Sequence, residues 1–164
     1  MRPRLSRLNL AFSLALLISA GVTAAAGNSD NFRAHLAGES QVADVDTKAQ
    51  GQAKFRLSAD GMSLHYKLIV ANIDGVFMAH IHLAPPDENG PVVAWLYPDA
   101  PPPAPISGDL NGILAEGTIT AEDLVGPLSG NTLIDLVEAI RSGNTYVNVH
   151  TAENRGGEIR GQIF

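Results

Sequence analysis

Apolar and polar residues alternate along most of the chain, which is the period of a β-strand with one buried face. The clearest pair of such segments is 53–58 and 64–70, and Asp60-Gly61 between them is a typical hairpin turn. By the same pattern, further strands are predicted at 31–36, 76–83, 92–97, 112–119, 145–151 and 158–164.

One segment has the period of a helix instead. Leucine, valine and isoleucine recur every three or four residues within 131–142, and Thr132 with Asp135 predicts a capped start. The run of prolines within 98–105 predicts a rigid surface loop. Eight short strands with no regular strand–helix alternation predict an all-β, antiparallel Greek-key β-sandwich, superoxide-dismutase-like or immunoglobulin-like, with one inserted short helix.

Residues 1–26 have the composition of a secretory signal peptide, which leaves 27–164 as one domain. Three arginines precede an uncharged apolar run, and the alanines at 24–26 offer a cleavage site. Serine and glycine interrupt the run, so an uncleaved membrane anchor is the weaker alternative. We therefore expect an exported protein, periplasmic or extracellular, with no stable membrane insertion after cleavage.

Charge and cysteine content narrow the function classes. The chain has 11 basic and 17 acidic residues; without the three arginines of the first segment, 8 (11 − 3) face 17, a net charge of −9. This balance argues against nucleic acid or an anionic membrane as the main partner. The chain contains no cysteine, which excludes disulfides, thiol catalysis and a cysteine-based metal cage.

Three histidines fall in predicted strands. Side chains at i and i+2 of a strand share a face, so His80 and His82 project together, while His150 shares a face with Tyr146 and Asn148. Imidazoles suit zinc and copper, so the three histidines are candidate ligands of a copper or zinc ion if their strands pack side by side. The alternative is a structural network in which the imidazoles bond one another and the backbone.

Other polar residues have less definite predicted roles. Asn148, Glu158 and Arg160 are predicted to form a polar network that supports the histidines, and Glu158 or Asp87 is a weak candidate for a fourth ligand. Because Glu158 and Arg160 alternate with an isoleucine, both are predicted to point away from the core. They form either a solvated charge pair or a pair that orients a histidine or binds an anion.

The remaining histidines and the single tryptophan are predicted to lie away from the site. His35 and His65 fall on polar strand faces and are expected to be solvated. Trp95 lies in an apolar strand and is expected in the core, and the alternative is an exposed binding anchor beside the proline loop. A paired copper–zinc dismutase centre needs about six imidazole-type ligand positions. The chain has five histidines, so dismutase activity is not expected.

Six segments together resemble the chordin-type (CHRD) domain family over most of the chain after the first segment. They are Phe32-Arg33-Ala34-His35-Leu36-Ala37-Gly38-Glu39, Ala79-His80-Ile81-His82, Asn89-Gly90-Pro91-Val92-Val93, Gly117-Thr118-Ile119-Thr120-Ala121-Glu122-Asp123-Leu124, Gly143-Asn144-Thr145-Tyr146-Val147-Asn148-Val149-His150-Thr151 and Gly157-Glu158-Ile159-Arg160-Gly161-Gln162. The sequence departs from the family pattern at Gln41-Val42-Ala43-Asp44, where an early Glu-Val-Pro-Pro type segment is usual. The resemblance implies an exported, non-enzymatic module that binds a protein, matrix or envelope component.

Overall fold

A computed structural model describes residues 30–164, so the predicted signal peptide lies outside the described residues. The described chain forms eight β-strands and one α-helix. They are β1 (Asn31–Ala37), β2 (Gln50–Leu57), β3 (Leu64–Asp74), β4 (Val76–Leu83), β5 (Val92–Tyr97), β6 (Asp109–Ile119), α1 (Leu133–Arg141), β7 (Thr145–Thr151) and β8 (Ile159–Gln162). Within residues 30–164, no helix is long and apolar enough to cross a membrane.

The eight strands form one continuous antiparallel sheet in the order β5-β4-β7-β8-β1-β2-β3-β6. The sheet curls until its two edge strands, β5 and β6, approach each other. The Tyr66 hydroxyl on β3, the neighbour of β6, donates to the Leu96 carbonyl on β5. This nearly closed arrangement places one face of the sheet around a hydrophobic core. The predicted all-β antiparallel fold with one inserted short helix is confirmed.

The alternating pattern explains the strands that surround the core. On β2 every second residue is buried, from Gly51 to Leu57, while the polar residues between them are exposed. At the end of β2, Leu57 pairs with Leu64 of β3 across the predicted turn. The Asp60 carboxylate accepts hydrogen bonds from the Met62 amide and the Ser58 hydroxyl, which holds this turn closed.

Helix α1 uses the stripe and the cap that its sequence predicts. Its buried residues are Leu133, Leu136, Val137 and Ile140. At its start, the Asp135 carboxylate accepts hydrogen bonds from both the amide and the hydroxyl of Thr132. The helix is two residues shorter at its start and one residue shorter at its end than predicted, since terminal residues contribute little to its packing.

The proline-rich segment is a loop, as predicted, and it runs beside β4. The Ala104 amide donates to the Phe77 carbonyl and the Ile106 amide donates to the Val76 carbonyl, so the loop satisfies backbone groups at the start of that strand. Strands β3 and β6 are longer than predicted because they pair past an irregular register between Val70 and Ile73.

We expect Gly161→Ala to destabilise the fold, because β8 passes very close to β1 at this position. A Cβ on Gly161 would lie 2.0 Å from the His35 carbonyl oxygen and 2.6 Å from its carbon, both backbone atoms. Overpacking of this kind costs about 1–3 kcal/mol or more of unfolding free energy. Urea denaturation measures the loss. Gly156→Ala is the matched control, since a Cβ there meets nothing within 4 Å, and equal stabilities of the two variants would contradict the prediction.

Candidate functional site

The pairing of β4 with β7 brings the three predicted histidines onto one face of the sheet. His80 lies opposite Asn148, His82 opposite Tyr146, and Met78 opposite His150. This is the outer face, because the residues between them, such as Ile81, point into the core. The polar side chains of two strands that are far apart in sequence therefore become direct neighbours.

The three imidazole rings form a compact triangle. Ring centroids are 5.6 Å apart for His80 and His82, 5.2 Å for His80 and His150, and 5.8 Å for His82 and His150. One nitrogen from each ring lies within 4.8 Å of the other two. All three side chains are buried, with exposed fractions of 3%, 8% and 5% in chain order, although they lie on the outer face of the sheet.

Backbone carbonyls fix the tautomers of two of these rings. The Nδ1 of His82 lies 2.9 Å from the Gly90 carbonyl oxygen, and the Nδ1 of His150 lies 3.0 Å from that of Arg155. A carbonyl only accepts, so each Nδ1 carries the proton, and each Nε2 of the neutral ring is left with a lone pair. The Nδ1 of His80 lies 3.3 Å from the Nε2 of His150.

The hydrogen bonds do not satisfy all the ring nitrogens. If His80 donates from Nδ1 to the lone pair of His150, its own Nε2 holds a lone pair as well. Among residues 30–164, no group bonds the Nε2 of His80 or the Nε2 of His82. Two buried lone pairs thus lack a donor, which is a costly arrangement for an imidazole cluster.

Burial keeps the cluster uncharged. Loss of solvation, together with the adjacent His150 and His82, lowers the pKa of His80 from 6.5 to about 3. Loss of solvation also lowers the pKa of His82, to about 4, against the opposing effect of its hydrogen bond to Gly90. The pKa of His150 is lowered by burial too. Neutral imidazoles are the form that binds metal ions.

Aromatic rings surround the cluster. Trp95 on β5 meets His80 edge to face at 4.3 Å, and Tyr146 stacks on His82 at 4.8 Å with an interplanar angle of 10°. The expected core position of Trp95 is therefore wrong: it pairs with His80 on the outer face and is only partly buried. The apolar β5 pattern did not distinguish the two faces, because apolar side chains cover both.

The expectation of a solvated Glu158–Arg160 pair is also wrong. Both side chains are buried, with exposed fractions of 8% and 2%, and they do not bond each other. The Glu158 carboxylate accepts hydrogen bonds of 2.7 Å from the hydroxyls of Thr47 and Thr151. The guanidinium of Arg160 lies 3.5 Å above the ring of Tyr146. Loops from other parts of the chain cover this face, so the burial of the two side chains could not be predicted from the sequence around them.

Arg160 and Asn148 tie the covering loops to the sheet. The guanidinium contacts the Pro85 carbonyl oxygen at 3.3 Å and the Asn89 side-chain oxygen at 3.4 Å. Asn148 accepts a 2.8 Å hydrogen bond from Gln41 and donates to the Gly156 carbonyl. Gln41 was not predicted for the site, and it stands where the sequence departs from the resembled family pattern. The carbonyls of the covering loops were also missed, because side-chain patterns do not report backbone groups.

The structure separates the other candidate ligands from the cluster. The group of ligand atoms within 4.8 Å consists of the three imidazoles and includes neither Glu158 nor Asp87. His35 and His65 are exposed on strands of the opposite part of the sheet, as predicted, and His65 contacts Thr118 there. Three neutral donors therefore make up the histidine site.

Comparison with family models decides the classification, since the CHRD domain model matches residues 32–163. The chain belongs to the CHRD domain family. The match extends from β1 to the end of β8, so the histidine site lies wholly within the CHRD domain. No curated protein and no solved structure matches the chain.

We expect the metal-free CHRD protein to lose stability as the pH falls from about 6.5 toward 4, because unfolded histidines protonate there while His80 and His82 in the fold do not. The unfolded state binds more protons in this window, so the unfolding free energy rises with pH. Each such histidine contributes up to about 1.4 kcal/mol per pH unit. Urea denaturation between pH 6.5 and 5, in the presence of chelator, measures the slope.

The exposed His35 supplies the control for this titration, since it lies outside the cluster. His35→Ala should keep the full slope, whereas His82→Gln should reduce it because one titrating imidazole is gone. A pH-independent unfolding free energy between 6.5 and 5 in the unsubstituted protein would contradict the prediction.

Proposed function

We propose that this CHRD protein is an exported, non-enzymatic binding module that holds one copper or zinc ion through His80, His82 and His150. The observation that carries the proposal is the set of ring nitrogens without donors. Two carbonyls orient the rings of His82 and His150 so that their lone pairs lie on Nε2, and the Nε2 atoms of His80 and His82 are buried without a partner. Such carbonyl support is typical of metal-ligating histidines.

The separation of the nitrogens supports a shared ion. Two ligands on a tetrahedral centre with bonds of about 2.0–2.1 Å are about 3.3–3.4 Å apart. The Nδ1 of His80 and the Nε2 of His150 are 3.3 Å apart, so an ion bound between them would replace the proton that these two nitrogens share, and that proton would move to the Nε2 of His80. One nitrogen of His82 belongs to a group of three ring nitrogens, one from each histidine, that lie within 4.8 Å of one another, so small ring rotations would complete a three-nitrogen site.

Export and a partner remain part of the proposal on sequence grounds. The signal-like residues 1–26 and the net charge of −9 over 27–164 favour a periplasmic or extracellular protein. CHRD membership is consistent with a binding module, and a protein or envelope component is the partner we expect. Pull-down from envelope extracts tests this part, and a protein that retains nothing at any salt concentration would count against it.

Metal analysis of the untagged protein, expressed with its own N-terminal segment, tests the site. We expect one copper or zinc ion per chain and a thermal midpoint that falls when a chelator removes the ion, because binding to the folded state alone stabilises it. An ion present at a thousand times its dissociation constant adds about 4 kcal/mol. The single tryptophan, Trp95, contacts His80, so copper(II) should also quench its fluorescence.

Substitution of the ligands separates this site from adventitious binding. His80→Ala and His150→Ala should each abolish the chelator-dependent shift and the quenching, whereas His35→Ala and His65→Ala should keep both, since these two histidines are exposed elsewhere. Absence of a stoichiometric ion, with no midpoint shift on addition of copper or zinc, would overturn the proposed function.

A further inference from the structure

We infer that the histidine site selects copper(I) over zinc(II), with the thioether of Met78 as a soft fourth ligand. This inference rests on the proposed metal site and specifies its ion. It depends on three features of the surroundings: the charge of the ligands, the charge of the neighbours, and the position of one methionine.

The ligand set is neutral. Three uncharged imidazoles supply the nitrogens, and no carboxylate belongs to the group. Glu158 is a buried carboxylate that directly precedes β8. Its two oxygens already accept hydrogen bonds from the hydroxyls of Thr47 and Thr151. An ion in this site therefore retains its full charge, because none of the three imidazole ligands is an anion.

Among the charged side chains around the cluster, the cation Arg160 acts on His82, while the Asp87 carboxylate acts on Arg160. Arg160 lies against one face of the Tyr146 ring, and His82 stacks on the same tyrosine. The positive charge of Arg160 disfavours a positive charge on His82 and so lowers the pKa of that imidazole. The cost of burying an ion rises with the square of its charge, so a monovalent ion is strongly favoured over a divalent one beside a buried guanidinium.

Met78 is the candidate for a fourth ligand because of its register on β4. It alternates with His80 and His82 along β4 and pairs with His150 across β7, so it lies on the same face at the end of the triangle. An irregular register between Val76 and Met78 lets the strand bend there. The methionine side chain has three rotatable bonds and a polarizable sulfur, which adapts its reach.

Ligand softness gives the same preference. Thioether and imidazole together suit copper(I), whereas a closed zinc site takes four nitrogen, sulfur-anion or oxygen-anion donors. The cluster supplies three nitrogens, and Met78, which lies on the same face of β4, supplies a thioether rather than an anion. Three imidazoles alone hold zinc(II) as well as copper, so the preference for copper(I) depends on the thioether, which is a soft donor.

Competition with colourimetric chelators tests the selectivity on the untagged protein. Copper(I) is titrated anaerobically against a copper(I)-specific chelator, and zinc(II) against a zinc indicator. We expect a dissociation constant for copper(I) that is lower by about a hundredfold or more. Equal or tighter zinc(II) binding would overturn the inference and leave the metal site standing, whereas binding of neither ion would overturn the proposed function itself.

Methionine variants test the fourth ligand. Met78→Leu nearly conserves volume, so the fold should persist, and copper(I) affinity should fall about tenfold with zinc(II) affinity unchanged. X-ray absorption of the copper(I) protein should show a sulfur neighbour that this variant lacks. Met62→Leu is the matched control, because Met62 is exposed on the β2–β3 turn. Unchanged copper(I) affinity and an unchanged absorption spectrum in Met78→Leu would remove Met78 from the ligand set.

Discussion

The register between β4 and β7 determines the arrangement of the whole polar face. A shift by one residue would turn His80 and His82 into the core and expose Ile81, because side chains alternate along a strand. The buried apolar residues between the histidines therefore hold the register, and the register in turn holds the imidazoles. One alternating pattern therefore determines both the core packing on the inner face of β4 and β7 and the site geometry on their outer face.

Close backbone approach allows the polar face to be covered. The turn after β7 passes directly over Asn148, where a Cβ on Gly157 would lie 2.3 Å from the asparagine side chain. Gly157 also has a φ of +126°, which other residues rarely adopt. On the other side, Gly90 receives the His82 hydrogen bond on its carbonyl and donates its amide to the Tyr146 hydroxyl. The glycines beside the histidine strands thus let backbone, rather than side chains, supply the support.

The sequence predicts those parts of the structure that depend on local periodicity. The bounds of β4, β5 and β7 are as predicted, and so is the shared face of His80 and His82, because alternation decides both. The burial of Arg160 and the role of Gln41 could not be predicted in this way. Both depend on loops that return to the outer face from distant parts of the chain, and an alternating pattern gives the same signal for a solvated face as for a covered polar one.

Other buried polar groups on this part of the sheet show what a purely structural network looks like. Asn148 uses both its oxygen and its nitrogen, and Glu158 uses both its oxygens, so each is fully engaged by protein partners. Among the described residues, the buried side-chain atoms without partners are the hydroxyl of Thr145 and the Nε2 atoms of His80 and His82. A hydroxyl can turn toward another acceptor, but an imidazole nitrogen is fixed by its ring. The same chain thus satisfies its amide and its carboxylate but leaves two buried imidazole nitrogens without a hydrogen-bond partner. That contrast favours the proposal that the histidines are ligands of a metal ion rather than members of a hydrogen-bond network.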